Sequence, residues 1–255
     1  MTITLSSLNG MVLVYLLCFS RAGAMVMLLP AIGDRAVPKT VRLVLALGIA
    51  LVLAPAVSGA YAQSTPQNAT ALGVMVVREV LAGLSLGLIA RIVVSALATA
   101  GSFIAQQTGL AMAMAFDPTT TADQGAVVGN FIALLGTVVV FATNLHYLAI
   151  GAISGSYHLI PPGTEIPVSD LAQLAIGNMS AAFALGFQLS APFLVFGFVV
   201  NAAFGILSRL MPQMQIFFVV MPINIVIGFS LLALFLGTIM TLYLDFYSYR
   251  LGMLQ

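Results

Sequence analysis

The chain has 255 residues, 61% of them hydrophobic and 6% charged, with a net charge of +1 and a mean hydropathy of +1.14. A soluble domain carries about 25% charged residues, so the composition excludes one and reads as an integral membrane protein. So small a net charge offers nothing to nucleic acid or an acidic partner, and a lone cysteine, Cys18, makes no intrachain disulfide.

Six apolar stretches follow in order, at 11–30, 43–62, 80–104, 126–145, 180–207 and 216–244. Each is of the ~20-residue length that carries a helix across a bilayer. Barrel strands are far shorter, so an all-helical membrane protein of about six spans is predicted. No Lys or Arg precedes the first stretch, which therefore lacks the basic start of a secretory signal. Arg21 lies midway along it, and Arg91 midway along the third. An arginine at a helix centre costs ~2.5–3.5 kcal/mol on insertion scales, so both are expected to be buried charges facing protein or water. Pairing with another subunit and lining a wet channel both remain open.

The first connector is basic, with Arg35, Lys39 and Arg42; the second is uncharged until Arg78 and Glu79, which precede the third stretch. A snorkelling side chain accounts for Arg78 and Glu79, and no acidic residue falls inside any stretch. The third stretch contains Gly83-Leu-Ser-Leu-Gly87, which spells Gly-x-Ser-x-Gly. A nucleophile elbow needs a strand-to-helix turn, so Ser85 reads as a packing residue. Gly83 and Gly87, like Gly125 and Gly129, and Gly151 and Gly155, have the spacing that lets helices approach closely.

The third connector, Gly109–Thr121, is unusually apolar for a loop. Met112, Met114 and Phe116 alternate with alanines until Asp117 and Pro118 break the run. Methionine is flexible enough to fill an irregular gap and be displaced from it. A gasket and a re-entrant or core-packed loop both fit. In the fourth connector His146, His158, Glu165 and Asp170 match no metal-binding spacing, and no phosphate-binding Gly-rich loop occurs. Neither a metal nor a cofactor is implied, and an intramembrane enzyme lacks a nucleophile–base pair.

The last two stretches, 28 and 29 residues long, exceed a ~30 Å hydrocarbon core. They must tilt, kink or project, and Pro192 and Pro222 supply kink points. Between them, Arg209, Met211, Pro212, Gln213 and Gln215 form a polar, rigid interruption. Pro212 removes a backbone donor and disfavours a helical Met211, predicting a turn. Basic residues in the first and fifth connectors place those connectors, and the third with them, in the cytoplasm.

Two stretches carry a family resemblance: "GLAMAMAFDPTTTADQ" after the third segment and "NAAFGILSRLMPQMQIFFVVMPINI" near the end. Together with segment number and spacing, they resemble the FliR family, export-gate subunits of flagellar type III secretion with relatives in virulence injectisomes. The resemblance covers essentially the whole chain, 1–255, as a single export-gate domain. It implies a helical assembly with two other small membrane subunits, set in the bacterial inner membrane at the flagellar basal body. It implies a plug at Gly109, Met112, Met114, Phe116, Asp117 and Pro118, and a carboxy-terminal hairpin at 183–244. The hairpin turn would contact neighbouring gate subunits and the membrane part of the substrate-specificity switch protein. The cargo would be unfolded flagellar subunits. A small-solute transporter is the main alternative, but it predicts paired broken helices, and one clear interruption is present.

Overall fold

The computed structural model describes residues 10–30, 32–33, 37–61, 66, 68–109, 126–210 and 216–254. These form α1 (Gly10–Leu28), α2 (Lys39–Tyr61), α3 (Ala69–Gln107), α4 (Ala126–Ala142), α5 (His146–Leu159), α6 (Val168–Leu210) and α7 (Ile216–Gly252). The predicted all-helical membrane fold is thus observed. Among the described residues five helices are long and apolar enough to cross a membrane, or six if α4 and α5 count together as one span.

The lengths depart from expectation. Helix α3 has 39 residues, α6 has 43 and α7 has 37, roughly 55–65 Å each at 1.5 Å per residue. Hydropathy locates an apolar centre, whereas the helix ends where its backbone is capped. Helix α3 begins at Asn68, whose side-chain oxygen accepts the Ala71 N–H at 2.9 Å. Its first residue, Ala69, lies eleven residues before position 80, so Arg78 and Glu79 are inside the helix. Helix α6 begins just after Pro167, with Asp170 in its first turn opposing the dipole. Helix α5 occupies what reads as a connector. Just before it, Asn144 adopts φ 61°, a left-handed conformation that asparagine tolerates.

The chain divides into two compact units. The first comprises Met1–Val93, Thr143–Met179 and Ser248–Gln255. Its core joins Leu17 and Cys18 of α1, Ala50, Val57 and Tyr61 of α2, Met75 of α3 and Tyr157 of α5. At its centre lies Arg21, 1% exposed. Its Nε donates to Glu79 Oε2 at 2.5 Å, and Nη1 donates to the carbonyls of Ser156 and Ile160, both at 3.0 Å. Those carbonyls lie at the C-terminal end of α5: that of Ser156 also accepts the Ile160 N–H at 2.9 Å, and that of Ile160 lies just past the helix. The guanidinium sits 4.2 Å from the Tyr157 ring centroid, and the Tyr157 hydroxyl contacts Cys18 Sγ at 3.2 Å.

Glycine makes this approach possible. A Cβ added at Gly83 would strike the Arg21 carbonyl, and one at Gly87 would strike Leu28 and Met25. The Gly83–Gly87 face of α3 therefore receives α1. Ser85 donates to the Ala82 carbonyl at 2.9 Å, a local bond within the helix. Arg21 is thus paired inside this chain, with an acid that the hydropathy profile places outside the apolar stretch.

The second unit comprises Val94–Ala142 and Ser180–Tyr247. Phe103 of α3 stands edge-on to Phe183 and Phe187 of α6, at 6.1 and 6.0 Å, and Phe193 of α6 meets Phe235 of α7 at 6.4 Å. Gly101 faces the Gly129 backbone of α4, and Gly186 faces Ala96 and Thr99, so α4 and α6 both lie against α3 at small residues.

Breaking a buried pair by removing one partner costs about 3–5 kcal/mol, whereas apolar replacement of both is often tolerated. Arg21→Met or Glu79→Met alone should therefore reduce membrane accumulation and trypsin resistance strongly, and the double variant should recover much of both. A double variant as unstable as the worse single would show that the two charges are not coupled.

Candidate functional site

The second unit holds a pocket of about 450 Å³ lined by three helices. Helix α3 supplies Gln106 and Gln107 in its last turn, and Gly109 just beyond. Gly109 takes φ 74°, the left-handed conformation that ends helices and suits glycine. Its N–H donates to the Gln106 carbonyl at 3.4 Å, closing the turn. Helix α6 supplies Asn201, Phe204, Gly205 and Ser208, whose spacing puts them on one face. Helix α7 supplies Val220, Met221 and Asn224.

Small residues seat the end of α3 between the other two. A Cβ at Gly197 of α6 would fall on the Gln107 side chain, and one at Gly228 of α7 would fall on Thr108. Thr108 is buried, its hydroxyl donating to the Ile104 carbonyl at 2.9 Å. Asn224 stands beside Gly109, and its Oδ1 is buried with no hydrogen-bond partner among the described residues. An unsatisfied buried acceptor costs about 1–3 kcal/mol, and the lining presents four side-chain amides and no charge. A second pocket, of about 260 Å³ in the first unit, is apolar and lined by residues such as Leu13, Leu17, Ala54 and Met75. Neither pocket brings a nucleophile to a base. Among the described residues no three His, Cys, Asp or Glu side chains gather as a metal site would require.

Gly109 forms part of the polar pocket, whereas Met112, Met114, Phe116, Asp117 and Pro118 lie outside the described residues. So do Met211, Pro212, Gln213 and Gln215. Arg209 is exposed in the last turn of α6, and Pro222 is exposed within α7. Of the two expected buried charges, Arg21 is buried and Arg91 is not. Arg91 falls on the outward stripe of α3 with Leu81, Leu84 and Leu88, opposite the stripe of Glu79, Ala82, Leu86 and Val93.

Sequence reasoning missed Glu79 as the partner of Arg21, and it missed Gln106, Gln107, Asn201 and Asn224. A signal for them exists: amides are costly in hydrocarbon and serve as contacts between helices. Asn201 and Asn224 each interrupt an otherwise apolar helical face.

The chain matches the family model for bacterial export proteins, family 1, over residues 12–249. It is 43% identical to the flagellar biosynthetic protein FliR of Caulobacter vibrioides over 231 residues, 91% of each chain. It is 30% identical to the protein of that name from Bacillus subtilis, over 92% of this chain and 90% of the relative. Against the Escherichia coli protein of the same name it is also 30% identical, over 84% and 80%. With so much of each sequence aligned, the chain belongs to the FliR family of bacterial export proteins.

Proposed function

We propose that this chain is a channel-forming subunit of the bacterial flagellar type III export gate. It sits in the inner membrane at the flagellar basal body and passes unfolded flagellar subunits outward. The observation that carries this reading is the family match across residues 12–249, with relatives named as flagellar biosynthetic proteins. Those names favour the flagellar gate over a virulence injectisome. Its work is conduction and gating of polypeptide, without bond chemistry or a cofactor.

Partner subunits have a surface to meet. On α6, Val195, Phe198, Val199 and Ile206 are 59–76% exposed, and on α7 Val226 and Leu234 are 66% and 72% exposed. A helix much longer than a bilayer is thick cannot bury all of such a face in lipid, and other gate subunits supply the cover. The 183–244 hairpin presents that face, and its turn at Arg209–Gln215 contacts a neighbouring gate subunit or the switch protein. Gly109–Thr121 closes the resting channel.

Cells lacking the chain should neither swim nor secrete flagellar subunits, and its return should restore both. A complex purified through it should contain two other small membrane proteins. A monodisperse chain that carries a metabolite across reconstituted vesicles would instead favour a solute transporter.

Shortening Gly109–Thr121 in an assembled gate should make cells leak small solutes or ions. Membranes as tight as the parent's would remove the plug role from this segment.

A photo-crosslinker at Met211 or Gln213 should capture a gate subunit or the switch protein. Replacing Gln213 and Gln215 by aspartate should lower secretion at an unchanged membrane level. Adducts with lipid alone, and normal secretion by the double variant, would reduce the segment to a plain turn.

A further inference from the structure

We propose that the pocket formed by Gln106, Gln107, Asn201, Ser208 and Asn224 binds the backbone of an extended polypeptide in transit, without regard to its sequence. The inference rests on the export reading above and names what this pocket contributes to it.

The lining decides the ligand class. Each Asn or Gln side chain carries one acceptor oxygen and two N–H donors, the same two functions that a peptide group carries. Four such amides converge here, with no Lys, Arg, Asp or Glu among the described lining residues. A charged lining would hold an acidic or a basic stretch of passing chain. An uncharged one treats them alike, while Phe204, Val220 and Met221 offer side chains of either kind an apolar, non-selective wall.

The unpartnered acceptor narrows the choice further. Asn224 Oδ1 is buried and accepts no hydrogen bond among the described residues, so it has room for an N–H donor that they do not supply. The backbone of a neighbouring transmembrane helix offers none, because its N–H groups are bonded within the helix. An unfolded chain drawn out between helices has free N–H and C=O groups at every residue but proline. Hydrogen bonds to the main chain give contact without specificity, as they do when a strand is added to a sheet edge. Such bonds are also weak enough, at about 0.5–1.5 kcal/mol each, to break as the chain advances.

The geometry is held from both sides. Gln107 seats against Gly197 and Thr108 against Gly228, so the end of α3 is fixed relative to α6 and α7. The amides are preorganised on three helices rather than carried on a loop.

The test is made in cells with an assembled apparatus and a flagellar subunit fused to a tightly folded domain, which stalls with its extended part in the channel. A photo-crosslinker at Ser208 should form adducts with the stalled chain. Two versions of that chain, one acidic and one basic in the held segment, should give equal yields. Asn224→Leu should lower secretion about three- to tenfold, the span of one neutral hydrogen bond, with unchanged membrane level and unchanged co-purifying subunits. Adducts only with gate subunits or with residues 110–125 of the same chain would overturn the proposal. So would capture of one charge type alone, or normal secretion by Asn224→Leu together with Asn201→Leu. If the unaltered chain itself fails to restore secretion, the export reading falls; if it restores secretion and these outcomes occur, only the backbone-binding role falls.

Discussion

Arg21 and Glu79 form a fully buried ion pair in a chain only 6% charged. Either charge alone would carry a desolvation cost of several kcal/mol. Together they are tolerated because Nη1 of the guanidinium also has fixed partners. Arg21 binds the terminal carbonyls of α5 and lies on the Tyr157 ring. The same residue therefore joins α1, α3 and α5, and it gives the Ile160 carbonyl at the end of α5 a donor. The glycines at 83 and 87 exist on the face where this crossing occurs, and a larger residue at 83 would push Arg21 away from Glu79. The arrangement of the first unit follows from satisfying one cation.

How much of this could be read from sequence differs by element. The spans were legible because lipid demands long apolar runs, and six such runs stand out. Their ends were not, because charge was read as a boundary. Glu79 looks like the edge of a span, yet it lies on the buried stripe that runs from Met75 to Val93, where a partner cancels it. Helix α5 was hidden for a related reason. Its Gly, Ser and His content resembles a connector, and what holds its end is an arginine 135 residues earlier. Long-range compensation of this kind leaves no local pattern. Arg91 shows the opposite case: the same residue type at the same depth, yet on the outward stripe, where this chain offers it no burial.

The polar pocket was invisible for the same reason. Gln106 and Gln107 precede a helix-ending Thr-Gly, while Asn201 and Asn224 sit singly in apolar helices about a hundred residues later. No spacing rule connects them. Only the seating of α3 against Gly197 and Gly228 makes them neighbours. The two units thus handle polarity in different ways. In the first, charges are paired and capped within the chain. In the second, amides are gathered around an opening, where Asn224 Oδ1 has no donor among the described residues. The outward faces of α6 and α7 are apolar over lengths that exceed a bilayer. Broad apolar surface of this kind is available to lipid or to neighbouring membrane helices.

The most direct measurement is an electron cryo-microscopy reconstruction of the native membrane complex purified through this chain. The account predicts Arg21 and Glu79 paired within the chain, and protein helices covering α6 at Val195, Phe198 and Val199. Annular lipid or detergent along that whole face, around a chain with no other protein attached, would contradict it.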